Sequence, residues 1–458
     1  MKIRKIYSTI QDSDCRLSEV NVGSVVDTGS SSAKGQVEIH PDRLRQEILG
    51  FGGAFTEAMA DALGRMPTLK KEEALEAYFH PENGIGYNFC RSHMNSCDFS
   101  LGNYDCLKRA GDIELDTFNI ERDKQYLLPL IERAFEISVE SVKLYISPWS
   151  PPSWMKTNGQ MQDGGSLKPE FYELWANYFV KFIQAYDVQG IQVWGLTLQN
   201  EPLAHTRWEN CIYTHAQERE FCKILSKVLE SNGLGDVKII IWDHNKDCLK
   251  ERIDVIFSDL EAYDATFGVG FHWYGSTDSE SKVDNTALDY IFKCYPDKKL
   301  IFTEGCNPLR SHENYFDEWW TGEKYGMHII EDLNHGTAAW TDWNMVLDER
   351  GGPNHVGNYC DAPIIANTVT GELIYQSSYY YIGHLSKFIP AGSRIVLVTM
   401  PSGLSELYAT AASTPDGNLT VVVMNGSDEV RTIELNVEGW QQCLHMAPHS
   451  IQTLIMSP

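Results

Sequence analysis

Two glutamates stand at the ends of separate apolar segments of the sequence. Glu201 follows the run Ile191–Leu198 after two polar residues, and Glu304 directly follows the run Leu300–Thr303. Two carboxylates that face each other across a cleft suit the cleavage of a glycosidic bond, because one protonates the leaving oxygen while the other attacks the anomeric carbon or activates water. A single glutamate at such a position is more often a solvated or turn-capping residue. The functional interpretation therefore depends on the two occurring together and on their neighbours.

Aromatic and polar residues end several of the other apolar runs. Arg91 ends one run, Asp243 follows another, and His272 ends a third, just before Trp273 and Tyr274. Sugar rings pack their C–H faces on aromatic side chains, while their hydroxyls need amides and carboxylates. The combination favours a sugar site, although His272 could equally be a buried core histidine.

The same positions predict no cluster of metal ligands. His272 and Asp243 would be the donors of a metal-dependent hydrolase, which is the alternative, but no paired-ligand spacing supports it. No Gly-x-Gly-x-x-Gly motif follows an early strand, which argues against a bound dinucleotide. We therefore expect an enzyme that uses neither a metal nor an organic cofactor.

The elements that must position these residues alternate between apolar runs and helical patterns. Eight runs have the character of buried strands: Ile48–Phe51, Tyr87–Arg91, Val142–Ser147, Ile191–Leu198, Val237–Trp242, Phe267–His272, Leu300–Thr303 and Thr337–Thr341. Helical patterns such as Pro169–Tyr186 lie between them. Near-continuous apolar strands that alternate with helices predict a parallel sheet, and eight such units predict an α/β fold of the (β/α)8 TIM barrel type over residues 46–387. Catalytic residues of a barrel lie at the C-terminal ends of its strands, where both glutamates are expected. A doubly wound sheet is the alternative.

The two ends of the chain have a different character. Residues 1–45 are polar and rich in turns, and residues 388–458 contain short β-rich runs separated by turn residues, as in Pro415-Asp416-Gly417-Asn418. Chain termini often lie close together. We therefore expect residues 1–45 plus 388–458 to form one β-sandwich domain beside the barrel.

Composition limits the partners. The chain of 458 residues carries 38 lysines and arginines against 63 aspartates and glutamates, a formal net charge of −25. This acidity argues against nucleic acid and anionic membrane surfaces as partners and favours an uncharged sugar. No stretch of about 18 apolar residues predicts a membrane span. The amino-terminal residues lack the apolar run of a secretory signal, and the 11 cysteines are scattered, so a cytoplasmic location is expected.

The candidate residues belong to a longer ordered series of motifs that resembles glycoside hydrolase family 30, in particular its glucosylceramidase-like group. The matching segments are Gly50–Ala58, Gly84–Asn88, Ser96–Ser100, Ser147–Trp149, Trp154–Gly159, Asn200–Pro202, His272–Tyr274, Glu304–Cys306, Trp340–Asn344, Gly351–Asn354 and Gly383–Pro390. Each motif alone is weak, but their shared order along the chain makes the resemblance specific.

The resemblance implies a barrel joined to a β-sandwich and the hydrolysis of β-glycosides with retention. It implies that Glu201 is the acid/base and Glu304 the nucleophile. It places Arg91 and Tyr274 beside the nucleophile, with His272 supporting the site and Tyr274 also in contact with substrate. The positions that match those holding the terminal sugar are Asp98, Trp149, Asn200, Trp343 and Asn358.

These roles carry electrostatic expectations. Glu304 must be ionised to attack, so a nearby cation such as Arg91 and the hydroxyl of Tyr274 should favour its charge. Glu201 must hold a proton near neutral pH, so burial beside a carboxylate should raise its pKa. Asn200 could bond the 2-hydroxyl of the sugar, a contact that strengthens in the transition state.

One loop departs from the resemblance. Residues 203–210, which contain His205, Arg207 and Trp208, do not match the lysosomal enzymes well. Because this loop follows the acid/base, it should face the leaving group, so ceramide glucosides are not carried over as substrates. We expect terminal β-D-glucosyl residues on a soluble aglycone. The alternatives are a β-xylosidase, a β-fucosidase or a β-1,6-glucanase of the same family, or a carbohydrate-binding protein without turnover.

Overall fold

Eight parallel strands close into a barrel in the computed structural model, which describes residues 1–27, 35–139, 141–275, 284–309 and 318–457. Labelled β1 to β8 in chain order, the barrel strands are Gly50–Phe55, Phe89–Met94, Lys143–Pro148, Val193–Thr197, Lys238–Asn245, Gly268–His272, Lys299–Glu304 and Thr337–Asn344. Consecutive strands pair with each other, and β8 pairs with β1 to close the cylinder. The predicted barrel is confirmed, and each of the predicted apolar runs overlaps one of its strands.

The interior of the barrel changes from apolar to polar along the strand direction. Phe89, Tyr145 and Ile301, from β2, β3 and β7, pack together in a buried apolar cluster. Side chains two residues apart on a strand share a face. Arg91 and Ser147, two residues further along β2 and β3, therefore enter the barrel one layer nearer the C-terminal ends. The apolar layer supports a polar layer directly above it, and this polar layer is where the site begins.

Helices surround the barrel and connect its strands. Over the described residues the α-helices are Val22–Val25, Glu57–Gly64, Thr68–Phe79, Glu121–Gln125, Leu127–Ile137, Tyr172–Val188, His215–Ser231, Leu249–Phe257, Leu260–Ala265, Thr286–Cys294, Trp319–Asn334 and Ser377–Ser386, and the 3-10 turns are Ser153–Met155 and Pro169–Phe171. Local chemistry fixes several of their starts. Thr214, for example, forms a reciprocal capping box with Gln217 at the start of the helix that follows β4.

The two ends of the chain meet in one ten-stranded sheet. Its strands are Lys2–Ile10, Ser18–Val20, Val26–Asp27, Gln36–Glu47, Arg394–Thr399, Leu407–Ser413, Leu419–Asn425, Arg431–Val437, Trp440–Met446 and Ser450–Ser457. The first of them pairs antiparallel with the last, so the amino terminus lies beside the carboxyl terminus. Alternate residues of strands from both halves share one buried apolar cluster, which is the core of a β-sandwich. A separate three-stranded sheet joins Val346–Asp348, Ile364–Asn367 and Glu372–Tyr375.

A buried histidine joins the barrel to the sandwich. His384 lies on the helix Ser377–Ser386, and its two ring nitrogens lie 2.9 Å from Thr9 Oγ1 and 2.8 Å from Thr453 Oγ1. The two threonines belong to the first and last strands of the sandwich. Both chain ends are therefore anchored to the same helix of the barrel.

Two further features of the chain bear on the expectations from composition. Among the helices that the structure describes, none is long and apolar enough to cross a membrane. All eleven cysteines are free thiols.

Candidate active site

A cavity of about 280 Å³ opens at the C-terminal ends of the barrel strands. Its wall contains every residue predicted as catalytic or sugar-binding: Asp98, Trp149, Asn200, Glu201, Tyr274, Glu304, Trp343 and Asn358. It also contains Trp208, from the loop that was expected to face the leaving group, and residues that sequence reasoning did not select: Phe99, Cys306, Pro308 and Cys360. Arg91 and His272 lie beneath this wall, fully buried. Tertiary folding thus brings together residues that are more than 250 positions apart in the sequence.

Arg91 is the centre of the polar layer under the cavity. Its guanidinium donates to Glu304 Oε2 at 2.6 Å, to Asp243 Oδ2 at 2.7 Å and to Asn200 Oδ1 at 2.8 Å. Two further bonds go to Ser147 Oγ at 2.9 Å and to the carbonyl of Thr303 at 3.3 Å. Arginine suits this position because its planar fork carries five N–H donors and stays charged when buried. One side chain thereby fixes the carboxylate of Glu304 and the amide beside Glu201.

The carboxylate of Glu304 is held from both sides. Arg91 bonds one oxygen, and the hydroxyl of Tyr274 donates to the other, Oε1, at 3.1 Å. Burial raises the pKa of Glu304 above its ordinary value, while the charges of His272 and Arg91 oppose that rise. The predicted contacts with Arg91 and Tyr274 are present. They limit the cost of burying a negative charge at this point but do not reverse it.

Glu201 differs from the sequence-based expectation. Its Oε1 lies 3.3 Å from Nδ1 of His272 and 3.5 Å from Nδ1 of His244. Burial favours the protonated carboxyl, but the two imidazoles favour the carboxylate more strongly, and the pKa of Glu201 falls well below its usual range. The prediction of a raised pKa was wrong, because it considered the neighbouring carboxylate and not the two histidines.

The proton that Glu201 does not hold lies next to it. Burial lowers the pKa of His272, but Glu304, Asp243 and Glu201 together raise it to about 9. Nε2 of His272 lies 2.9 Å from Asp243 Oδ1, which leaves Nδ1 facing Glu201. At neutral pH the imidazolium therefore presents an N–H to the carboxylate of Glu201. The open question from the sequence is answered: His272 is buried, but it belongs to the site.

The backbone at this corner is held in an unusual conformation. Glu201 has φ of 47°, Trp242 has 73° and Asp243 has 55°, all in the left-handed region that side chains rarely adopt. The N–H of Glu201 donates to the carbonyl of Asp243 at 2.9 Å, which joins the left-handed residue after β4 to the left-handed residues of β5. Such strain persists where the surrounding contacts over-determine it, commonly at functional sites. Here it aims Glu201 at the cavity from the end of β4.

Asp98 and two tryptophans form the wall away from the histidines. Asn354 and Asn358 both donate to Oδ2 of Asp98, at 3.2 and 3.0 Å. Burial raises the pKa of Asp98 to about 7, although the hydrogen bonds from the two asparagine amides lower it. Trp149 and Trp343 stack with ring centroids 4.9 Å apart and planes 25° apart. This wall offers an acceptor for hydroxyls beside an aromatic surface, which is the combination a sugar ring requires.

Two residues near Glu201 were missed or underrated by sequence reasoning. Asp243 was noted as a residue after a strand and as a donor of the alternative metal site, yet it bonds Arg91, His272 and Thr197, the last at 2.7 Å. His244 was not selected at all. The apolar run Val237–Trp242 carried no signal for either side chain, because β5 continues past it to Asn245.

The loop after Glu201 contributes to the cavity mainly through one ring. Trp208 lines the cavity, while His205 and Arg207 are exposed. Asn210 anchors the loop through bonds to the carbonyls of Thr206 and Trp208. The side of the cavity next to Glu201 is therefore bounded by an aromatic residue of a loop with a polar outer surface.

Comparison with known proteins agrees with this architecture. The chain matches the glycosyl hydrolase family 30 TIM-barrel domain over residues 48–389 and the family 30 beta sandwich domain over residues 392–454. The lysosomal acid glucosylceramidase of Mus musculus is 34% identical over 426 residues, which cover 90% of this chain and 81% of the mouse protein. The crystal structure of SrfJ from Salmonella typhimurium superposes with a TM-score of 0.91 at 32% identity, over 99% of both chains. The endo-beta1,6-glucanase BT3312 superposes with a TM-score of 0.86 at 26% identity, over 99% of both chains. The chain is a glycosidase that belongs to glycosyl hydrolase family 30.

Proposed function

We propose that this glycosidase removes terminal β-D-glucosyl residues with retention of configuration. The observation that carries the proposal is the carboxylate of Glu304, gripped by Arg91 and Tyr274 on the wall of the cavity that also holds Glu201. A carboxylate held so firmly and kept from water is suited to attack a carbon atom. A residue that only activated water would need room for that water between itself and the sugar.

The reaction proceeds by two displacements at the anomeric carbon. In the first, an oxygen of Glu304 forms a bond to the anomeric carbon while the glycosidic bond breaks, and the leaving oxygen takes a proton from Glu201. In the second, Glu201 removes a proton from water, whose oxygen attacks the anomeric carbon and releases Glu304. The sugar leaves as the β-anomer, and both carboxyl groups return to their starting state.

The proton for the first step is supplied through His272. In the resting site the proton lies on His272 Nδ1, 3.3 Å from Glu201 Oε1. Binding of an uncharged sugar excludes water from the cavity. Without that water the imidazolium–carboxylate pair is less well solvated, so transfer of the proton to Glu201, which leaves both groups neutral, is favoured. Asp243 holds the opposite ring nitrogen and so keeps Nδ1 directed at the acid.

The wall formed by Asp98, Trp149 and Trp343 supports a hexose in the cavity. Asp98 accepts hydroxyl hydrogens, and the rings pack against the C–H face of the sugar. Trp208 and its polar loop border the side where the leaving group departs, which supports a soluble alkyl, aryl or sugar aglycone. The second candidate function is that of an endo-β-1,6-glucanase, because the endo-beta1,6-glucanase BT3312 superposes over 99% of this chain.

Stereochemistry and mutation test the mechanism. Proton NMR during hydrolysis of an aryl β-glucoside should show the β-anomer of glucose first, and initial formation of the α-anomer would disprove retention.

Glu304→Ala should abolish turnover, while Glu201→Ala should slow the hydrolysis of substrates with natural leaving groups far more than that of substrates with activated ones. Glu323→Gln is the matched control, because Glu323 contacts His449 of the sandwich at 2.8 Å and lies outside the cavity wall. Full turnover in Glu304→Ala would remove the nucleophile assignment.

Substrate panels test the sugar. Initial rates with nitrophenyl β-glycosides should be highest for the glucoside, and a faster xyloside or fucoside would assign another sugar. A β-1,6-linked glucan separates the second candidate, since an exo-acting enzyme releases glucose alone while an endo-acting one releases oligosaccharides. Binding of glucosides without any released reducing sugar would leave only a carbohydrate-binding role.

A further inference from the structure

Three metal-binding side chains converge at the acid end of the cavity. One donor atom each of Glu201, His244 and His272 lie within 4.8 Å of one another. Oε1 of Glu201 is 3.3 Å from Nδ1 of His272 and 3.5 Å from Nδ1 of His244. The sequence predicted no such cluster, because the three residues come from the ends of β4, β5 and β6 and have no paired spacing.

Two of the three separations fit a tetrahedral divalent cation, and the two imidazole donors lie within 4.8 Å of each other. Zinc binds imidazole nitrogen and carboxylate oxygen at about 2.0–2.1 Å, so two ligands of a tetrahedral site lie about 3.3–3.4 Å apart. The two distances from Glu201 match that edge closely. The donor set of two histidines and one glutamate is the set that zinc accepts in sites that keep one position open.

A surrounding contact orients one of the three donors in advance. Asp243 holds Nε2 of His272 at 2.9 Å, which is the carboxylate–histidine arrangement found behind metal ligands. Nδ1 of His244 is buried, and at 3.5 Å from Glu201 Oε1 it makes no hydrogen bond of good geometry with any described residue. A buried nitrogen without a partner is costly unless something binds it. Glu201 lines the cavity, and His244 and Glu201 each keep 14% of the side chain exposed.

We propose that Glu201, His244 and His272 form a binding site for a zinc-like divalent cation, with water in the fourth position. Binding releases the proton of His272 Nδ1 to solvent, because a ligand nitrogen must be free of hydrogen. The cation then binds the carboxylate oxygen of Glu201 that has to deliver a proton to the leaving group. This consequence rests on the proposed function: the bound cation inhibits hydrolysis and takes no part in it.

Calorimetry on the full chain tests the site without reference to activity. Zinc chloride at pH 7.5 should bind with one site per chain, and magnesium chloride should not bind, since magnesium requires oxygen ligands in octahedral geometry. His244→Ala should weaken zinc binding by more than the about tenfold typical of losing an outer partner of a ligand. His205→Ala is the matched control, because His205 is exposed on the adjacent loop. It should bind zinc as the unmodified protein does.

Three results would overturn the site. Unchanged zinc affinity in His244→Ala would do so if circular dichroism shows that the variant is folded. So would equal binding of magnesium. The third is zinc binding that survives His244→Ala but is lost in His449→Ala, because His449 lies 2.9 Å from Asp428 and offers a competing surface site.

Kinetics with an activated aryl β-glucoside test the inhibition separately. Saturating zinc should slow hydrolysis, a chelator should restore it, and the ratio of rates with and without zinc should move towards one in His244→Ala. Full activity at a zinc concentration that saturates the calorimetric site would refute the inhibition. Zinc binding by a chain that hydrolyses no glycoside, even free of metal, would refute the proposed function and leave the site intact.

Discussion

Replacement of Arg91 tests how the polar layer beneath the cavity is held together. The guanidinium is fully buried, makes five hydrogen bonds, and pairs with the buried carboxylates of Asp243 and Glu304 at 2.7 and 2.6 Å. Arg91→Ala removes the cation and leaves both carboxylates without their main partner. The rings of Trp149 and Trp343, which lie 4.8 and 5.4 Å from the guanidinium, lose their support as well.

The expected loss of stability is large because the partners cannot reach water. Removing one member of a buried ion pair typically costs about 3–5 kcal/mol, since an uncompensated charge remains in the interior. Two carboxylates share this cation, so we expect Arg91→Ala to lie at the upper end of that range. The pKa of Glu304 should rise further, because one of the two cations that oppose burial is gone. The acidic limb of the kcat/KM profile should therefore move to higher pH.

The assay is urea denaturation followed by circular dichroism, with Arg133→Ala as the matched control. Arg133 also contacts two carboxylates, Glu72 and Glu136, both at 2.8 Å, but on the surface with 40% of its side chain exposed. Exposed pairs contribute little, so this variant should unfold almost as the unmodified protein does. Equal destabilisation by the two substitutions, or an unchanged free energy of unfolding for Arg91→Ala, would refute the reasoning.

Two further predictions concern pH. Because the pKa of Asp98 lies at about 7, the KM for an aryl β-glucoside should fall as pH rises through 7 and Asp98 becomes a stronger acceptor of sugar hydroxyls. Asp98→Asn should lose this dependence, and its persistence in that variant would assign it to another group. Burial lowers the pKa of His384 to about 3, well below the about 6.5 of an unfolded histidine, so only the unfolded chain binds this proton between those values. Stability should therefore fall as pH falls from about 6.5 towards 3. His384→Gln should reduce the slope of the urea midpoint over that window, and an unchanged slope would contradict the role of His384 between the domains.

Much of the fold was readable from local pattern. An apolar run that is buried on both faces differs from an amphipathic helix in its periodicity, and this difference is present within ten to fifteen residues. The barrel strands were found in this way, and the strand ends pointed to Glu201 and Glu304. The sugar-binding positions Asp98, Trp149, Trp343 and Asn358 came from the family resemblance. Closure of the barrel then required only that successive strands pair in order.

The electrostatics of the site could not be read in the same way. A pKa depends on charges a few ångströms away, and those charges come from strands remote in the sequence. Glu201 was expected to hold a proton, yet His272 from β6 and His244 from β5 keep it ionised. Asp243, which the sequence suggested only as a donor of the alternative metal site, orients the ring that carries the proton.

The sequence by itself determined the order of the barrel strands and the places of Glu201 and Glu304 at the ends of two of them, because apolar period and chain order are read directly from the residues. Only the tertiary structure decided their mutual distances. It gave Arg91 two carboxylate partners from β5 and β7, and it gathered Glu201, His244 and His272 at one corner. The physical reason is that period and order are properties of short segments, whereas charge state and ligand geometry depend on contacts between segments that meet only when the barrel closes.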